Sequence, residues 1–234
     1  MTTVVALHRL VLREQVTVTR ILGIAALGAL SILLGALARA DDEPAMAVAD
    51  MVATYGLGVL VPLATLWLGT SAVGDLVEDR LLVYLWLKPV ARWQLPAAAV
   101  LATFIIVAPL TALPLAAATL AAGAGDVTIP ALGAATLAAL AYTGIFVAAG
   151  LWWRRAVWWG LAFVLLWENV VAYAVEGAAR LTVSEWARSI VDTAPGVDVA
   201  GGSHSATVAF VVLPLVAVAG WLLATWRYRR ADVD

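Results

Sequence analysis

Two groups of residues have the types and spacings to do chemistry, and both sit where a greasy chain has little room for charge. The first is the segment Gly74 to Arg92. It opens on Asp75, Glu78 and Asp79, rises through seven apolar residues from Leu81 to Leu87, and closes on Lys88-Pro89-Val90-Ala91-Arg92. Its chemistry is contact rather than catalysis: an apolar ridge flanked by charge suits a cleft on a soluble partner. The second is Glu168-Asn169, set inside an apolar run. An acid at mid-membrane costs ~2.5–3.5 kcal/mol on insertion scales, and such residues mark transport paths or pair with a partner. The plainer reading of Glu168 is that the helix ends at Trp167 and that Glu168-Asn169 begin a re-entrant turn near the outer surface.

Other chemistries find no residues. There is no Gly-x-x-x-x-Gly-Lys-Ser/Thr phosphate loop, no His-Glu-x-x-His pair and no metal-ligand cluster. Cysteine is absent, which excludes disulfides and thiolate metal sites. His8 and His204 lie far apart, and Ser203-His204-Ser205 reads as a solvated turn. No catalytic residue, metal site or cofactor is assigned to the chain. Any energy must come from another chain or an ion gradient.

The elements that carry these residues follow from composition. Of 234 residues, 64% are hydrophobic and 13% charged. A soluble domain is roughly half apolar and a quarter charged. The apolar residues fall in blocks of Leu, Ala, Val and Gly long enough to span a bilayer, without the alternation of an outer-membrane barrel. The class is an all-α membrane protein, a single transmembrane domain over residues 1–234. Six spans are expected, at about Thr17–Leu37, Met51–Val73, Leu95–Ala121, Ala131–Leu151, Ala156–Val175 and Ala206–Trp226. Pro109 and Pro114 predict a kink in the third. No cleavable signal peptide is expected.

Orientation follows from Lys and Arg. With the N-terminus inside, the inner segments hold 11 of them and the outer segments only Arg39, Arg180 and Arg188. Both termini are therefore expected in the cytoplasm, in a cytoplasmic (inner) membrane. Trp93, Trp152, Trp153, Trp158, Trp159 and Trp226 fall near the same inner interface, where indoles are favoured. Val4 to Val16 reads as an amphipathic helix on the inner leaflet. Glu176 to Ser205 reads as an outer re-entrant element between spans five and six, with Ser184 as a helix cap.

Within the inner loop a helix is expected over about Asp79 to Leu87. Its acids lie at the N-terminal end and Lys88 at the C-terminal end, as the helix dipole favours, and Pro89 stops it. Leu81, Leu82, Leu85 and Trp86 would be the docking residues.

This segment resembles the signature of the type-2 permease family of ABC exporters. There an acidic stretch after the second span leads through a leucine-rich helix to a Pro-Val-Ser-Arg-like end. Glu78 matches the acidic position, Leu85 and Leu87 the leucine-rich part, and Pro89, Val90 and Arg92 the close. Arg80-Leu81 stands where the family often has Gly-Thr. The layout of the whole chain is similar too. The resemblance implies a cytoplasmic coupling helix between spans two and three, with Glu78, Arg80, Leu85, Trp86, Pro89 and Arg92 facing an ABC ATPase subunit. It implies a second permease chain as partner, with ATP and Mg on the ATPase. The expected function is the membrane-spanning subunit of an ATP-driven exporter of a hydrophobic or amphipathic substrate. Its partners would be those proteins and the lipid bilayer, not nucleic acid. The alternative is an ion-coupled secondary transporter or channel with no ATPase. An intramembrane enzyme would need a polar catalytic cluster, and none is visible.

Overall fold

The structure, a computed structural model, describes residues 12, 15–78, 91–153, 155–171, 181–199 and 204–230. All regular elements among the described residues are helical. In chain order they are α1 (Val18–Ala38), α2 (Pro44–Met51), π1 (Val52–Leu60), α3 (Val61–Glu78), α4 (Gln94–Ala121), α5 (Gly125–Trp152), α6 (Ala156–Ala162), π2 (Phe163–Val171), α7 (Val183–Val191) and α8 (Ala206–Arg230). Here π1 and π2 are wider, π-helical stretches. They continue from α2 into α3 and from α6 without a break.

Among the described residues, five helices are long and apolar enough to cross a membrane: α1, the α2–π1–α3 run, α4, α5 and α8. The chain thus has the make-up of a membrane-embedded helical protein. The expected fifth span, Ala156–Val175, is represented by the shorter apolar run of α6 and π2. The expected amphipathic helix over Val4–Val16 lies outside the described residues except for Leu12, Gln15 and Val16, and the loop helix over Asp79–Leu87 lies outside them altogether.

The core is built around α5, which packs against α3, α4, α7 and α8. Its buried face is mostly Ala, with Tyr142 and Phe146 as the large fillers. Small residues let helix backbones close up where lipid supplies no hydrophobic drive between helices. At the α5–α8 crossing, a Cβ on Gly144 would lie 2.6 Å from the Ala217 carbonyl oxygen, and one on Gly220 would strike the Gly144 backbone. Gly28 lies against Pro114 of α4 in the same way, where a Cβ would meet the ring at 2.8 Å. By contrast, α1 and α8 expose Leu22, Leu33, Leu37, Phe210, Val211 and Leu215 to the surroundings. That is the lipid-facing pattern of peripheral helices.

Several hydroxyls inside the bundle are satisfied locally. Thr70, Thr111 and Thr143 donate to the carbonyls of Leu66, Val107 and Ala139, four residues back. Where water is absent, each unpaired polar group is expensive, so this back-bonding is the expected solution. The Tyr55 hydroxyl ties π1 to α1 through the Leu27 carbonyl, at 2.8 Å.

The direction of the helices places the sites. Gly144 of α5 meets Ala217 and Gly220 of α8, and Trp152 of α5 meets Trp226 of α8, so the two run parallel. The chain must therefore return from one end of the bundle to the other between residues 153 and 206. The run of α6 and π2 starts this return beside Trp153 and reaches α7 at Glu168. At 1.5 Å per residue it covers roughly 20 Å, short of the ~30 Å hydrocarbon core. On α7, Ile190 lies against Gly133 in the opposite half of α5.

Candidate functional site

The residues singled out in the charged segment divide sharply. Glu78 is the last residue of α3, and its side chain is outside the described part. Arg80, Leu85, Trp86 and Pro89 lie outside the described residues. Arg92 is described, in the turn that leads into α4. Its Nη1 donates to the Arg229 carbonyl at 2.8 Å, near the C-terminal end of α8. A cation at a helix C-terminus satisfies an orphan carbonyl and suits the dipole. So Arg92 bridges the start of α4 and the end of α8.

Glu168 stands inside a helix. The expected break after Trp167 does not occur: π2 carries the chain through Glu168 and Asn169 to Val171. The Asn169 side chain is outside the described part. Glu168 is only 1% exposed. Its Oε1 accepts from the Val183 N–H at 3.0 Å, and its Oε2 from the Ser184 N–H at 3.2 Å and the Ser184 hydroxyl at 2.6 Å. The carboxylate thus sits at the N-terminal end of α7, where free N–H groups and the dipole favour an anion. The helix cap is Thr182, not Ser184: the extended Thr182 accepts from the Glu185 N–H at 3.4 Å. Ser184 lies one residue inside the helix, with its hydroxyl turned to Glu168. Its own position in the first turn leaves it free to serve that carboxylate.

Residues that sequence reasoning passed over complete this polar cluster. Tyr142 of α5 is fully buried, and its hydroxyl lies within electrostatic reach of Glu168, Ser184 and Arg188 but outside hydrogen-bond geometry. Arg188 and Glu185 are also buried. Across α7, the Trp186 ring stacks on His204 at 3.9 Å between centroids, and the His204 N–H donates to the Ser189 hydroxyl at 3.3 Å. His204 is therefore packed against α7 rather than standing in a solvated turn. Beyond α7, Asp192 accepts from the Val199 N–H at 2.7 Å and closes the following loop. Burial pushes the Asp192 carboxyl up from the usual carboxylate range. The Val199 N–H pulls it back, and Asp198, Glu185 and Asp50 push it further up.

A second missed residue lies near the start of the chain. Gln15 is 1% exposed, and its Nε2 donates to the Thr103 hydroxyl at 2.7 Å and to the Leu68 carbonyl at 3.3 Å. It ties the entry to α1 onto both α3 and α4.

Next to the polar cluster is an apolar chamber. Tyr142 stacks on Phe146 at 5.8 Å, and Phe146 meets Phe163 of π2 edge-on at 6.3 Å. Phe146 and Phe163, with Trp152, Trp153, Trp159 and Trp167, line a cavity of about 630 Å³ between α5, α6–π2 and α8. The indoles continue as a chain: Trp159 to Trp153, Trp153 to Trp152, and Trp152 to Trp226, each about 6 Å apart. The tryptophans expected at one interface are thus gathered at one end of the bundle. Such walls hold an apolar or amphipathic body by area and shape, with few polar groups to fix its orientation. Among the described residues no group of three or more His, Cys, Asp or Glu is placed to hold a metal ion.

No protein-family model matches the chain, and no curated protein sequence does.

Proposed function

We propose that this chain is the membrane-spanning permease subunit of an ATP-driven exporter of the ABC type-2 class, working with a separate ATPase and a second permease chain. The observation that carries the reading is the segment Asp75 to Arg92, with its acids, apolar ridge and Pro-Val-x-Arg close. It joins the end of α3 to the start of α4, two helices of membrane length. Basic residues concentrate on the same side of the chain, 11 against 3, which supports a cytoplasmic position for this segment and for both termini. The parallel course of α5 and α8 supports a sixth crossing, begun by α6–π2.

The cargo is a hydrophobic or amphipathic molecule. What supports this is the aromatic chamber of about 630 Å³, walled by α5, π2 and α8. The ion-coupled alternative would need ionisable groups free to exchange ions. Its best candidate, Glu168, has both oxygens occupied by donors of α7. We assign it the role of pinning α7 to the membrane body.

The test is affinity capture of the tagged chain from its own membranes in mild detergent. A phosphate-loop ATPase of separate sequence should co-purify in comparable amount. The isolated chain should release no phosphate from ATP above an empty-membrane control. Turnover by the isolated chain, or capture without any ATPase, would overturn the reading.

A further inference from the structure

The tryptophan-rich end carries a second groove next to the chamber. It has a volume of about 830 Å³ and lies along the last turns of α8, walled by Trp93 of α4 and Trp152 of α5. Its floor is Trp221, Leu222, Leu223 and Trp226, and it runs from Trp221 to Arg229. That is about 12 Å of helix, enough for the upper part of an acyl chain. Leu222, Leu223 and Trp226 are each about half exposed, so the groove opens sideways rather than into the bundle.

Its mouth is basic. Arg229 lines it, Arg92 is bonded to the Arg229 carbonyl, and the Arg230 guanidinium stacks 4.2 Å over the Trp226 ring. No carboxylate lines the groove among the described residues. An Arg–Trp belt alone would be ordinary interfacial anchoring. Two further groups lift this site above it. Thr225 is 6% exposed and Trp221 is part-buried, and both line the groove. The Thr225 hydroxyl and the Trp221 indole N–H have no hydrogen-bond partner among the described residues. They lie four residues apart, on one face of α8. An intramembrane threonine ordinarily bonds back to its own helix, as Thr70, Thr111 and Thr143 do. A buried polar group left unpaired calls for a ligand or water.

We propose that this groove is a binding site for an anionic phospholipid of the leaflet at the tryptophan-rich end. The phosphate diester sits among Arg229, Arg92 and Arg230. The glycerol and ester oxygens take the Thr225 hydroxyl and the Trp221 N–H. The first part of an acyl chain lies along Leu222 and Leu223. The groove adjoins the chamber beneath α6–π2, sharing Trp152 and Leu223 with it, and the site does not depend on an ATPase partner.

The test is native mass spectrometry of the full chain, delipidated in mild detergent. It is titrated with dioleoyl phosphatidylglycerol, dioleoyl phosphatidylcholine or inorganic phosphate. The phosphatidylglycerol adduct should persist at about tenfold lower lipid concentration than the phosphatidylcholine adduct. Inorganic phosphate should give none. The double substitution Arg229→Gln/Arg230→Gln should abolish the preference, a loss of about threefold per arginine. Arg39→Gln, at the exposed opposite end of α1, should leave it intact. Thr225→Val should weaken retention of both lipids severalfold while leaving the melting temperature without lipid unchanged, since the hydroxyl has no protein partner to lose. Equal retention of the two lipids would overturn the proposal, as would a preference that survives the double substitution. So would unaltered retention by Thr225→Val, binding of phosphate alone, or a groove covered by a second copy of the chain with no lipid held.

Discussion

The Glu168 carboxylate accepts three hydrogen bonds from two residues of α7 and is almost wholly buried. Hydrogen bonds to a charged group are worth about 1.5–3 kcal/mol each, and leaving buried donors unmet costs about as much again. Glu168→Ala should therefore destabilise the protein by several kcal/mol in a detergent unfolding titration. Ser184→Ala, which removes one hydroxyl donor and leaves both N–H groups in place, should cost about 1–2 kcal/mol. Equal tolerance of both changes would show that the carboxylate does not hold α7. Glu168 stood out in the sequence because a lone acid in an apolar run needs a reason. Its reason was not legible, because its donors are 15 and 16 residues away, beyond the reach of any local pattern. Gln15 was hidden by the same distance: its partners Leu68 and Thr103 belong to other helices. The segment from Asp75 to Leu87 stands out by spacing alone, and from Asp79 on it lies outside the described residues.

At the scale of elements, membrane-length helices are the most readable feature. Apolar runs give α1 and α4 to within a residue at each end, because a bilayer fixes their length, whereas α5 starts six residues before the expected Ala131 and α8 runs four past Trp226. Two features escaped this reading. The π-helical stretches leave the apolar pattern unchanged, so only coordinates reveal them. The cap of the short α7 is the other: the helix lies where one capped by Ser184 is expected, but its cap is Thr182, two residues earlier. Close helix approach sets a firm expectation. Gly144→Ala would drive a Cβ to 2.6 Å from the Ala217 carbonyl and should cost about 1–3 kcal/mol, with a lower melting temperature and looser α5–α8 packing. Gly123→Ala, where a Cβ would meet nothing, carries only the strain of its positive φ of 81° and should not disturb that packing.

The loop after α7 carries its own pH dependence. The Asp192 carboxyl is raised first by burial and then by Asp198, Glu185 and Asp50, against the pull of the Val199 N–H. A carboxyl raised on folding binds its proton better in the folded state. Its stabilisation is complete below the ordinary carboxylate range and is lost as pH rises through the raised value. Melting temperature should thus fall as pH rises from the ordinary carboxylate range through the raised Asp192 value. Asp192→Asn keeps an acceptor for the Val199 N–H and should flatten that slope. A slope identical in the variant would remove Asp192 as its source.

For the whole molecule, the question is which end faces the cytoplasm and what docks there. Asp126 is exposed at the start of α5, and Asp79 follows the last residue of α3. In intact cells, a single cysteine at Asp126 should react with an impermeant thiol reagent, and one at Asp79 should not. The reverse pattern would place the tryptophan-rich end outside and remove the coupling segment from the cytoplasm.

The account rests most heavily on the apolar ridge of that segment, and one measurement reaches it directly. Leu85→Asp places a charge in a contact that would be desolvated on docking, at a cost of several kcal/mol unless the site relaxes. That weakens assembly by orders of magnitude. The segment joins two membrane-length helices, so insertion and helix packing should survive. The measurement is the ratio of co-purified phosphate-loop ATPase to this chain, wild type against Leu85→Asp, with both forms shown to be monodisperse. The expected result is a comparable amount of ATPase with the wild type and nearly none with the variant. Undiminished ATPase with Leu85→Asp, or none with either chain, would contradict the coupling role and the transporter assignment built on it.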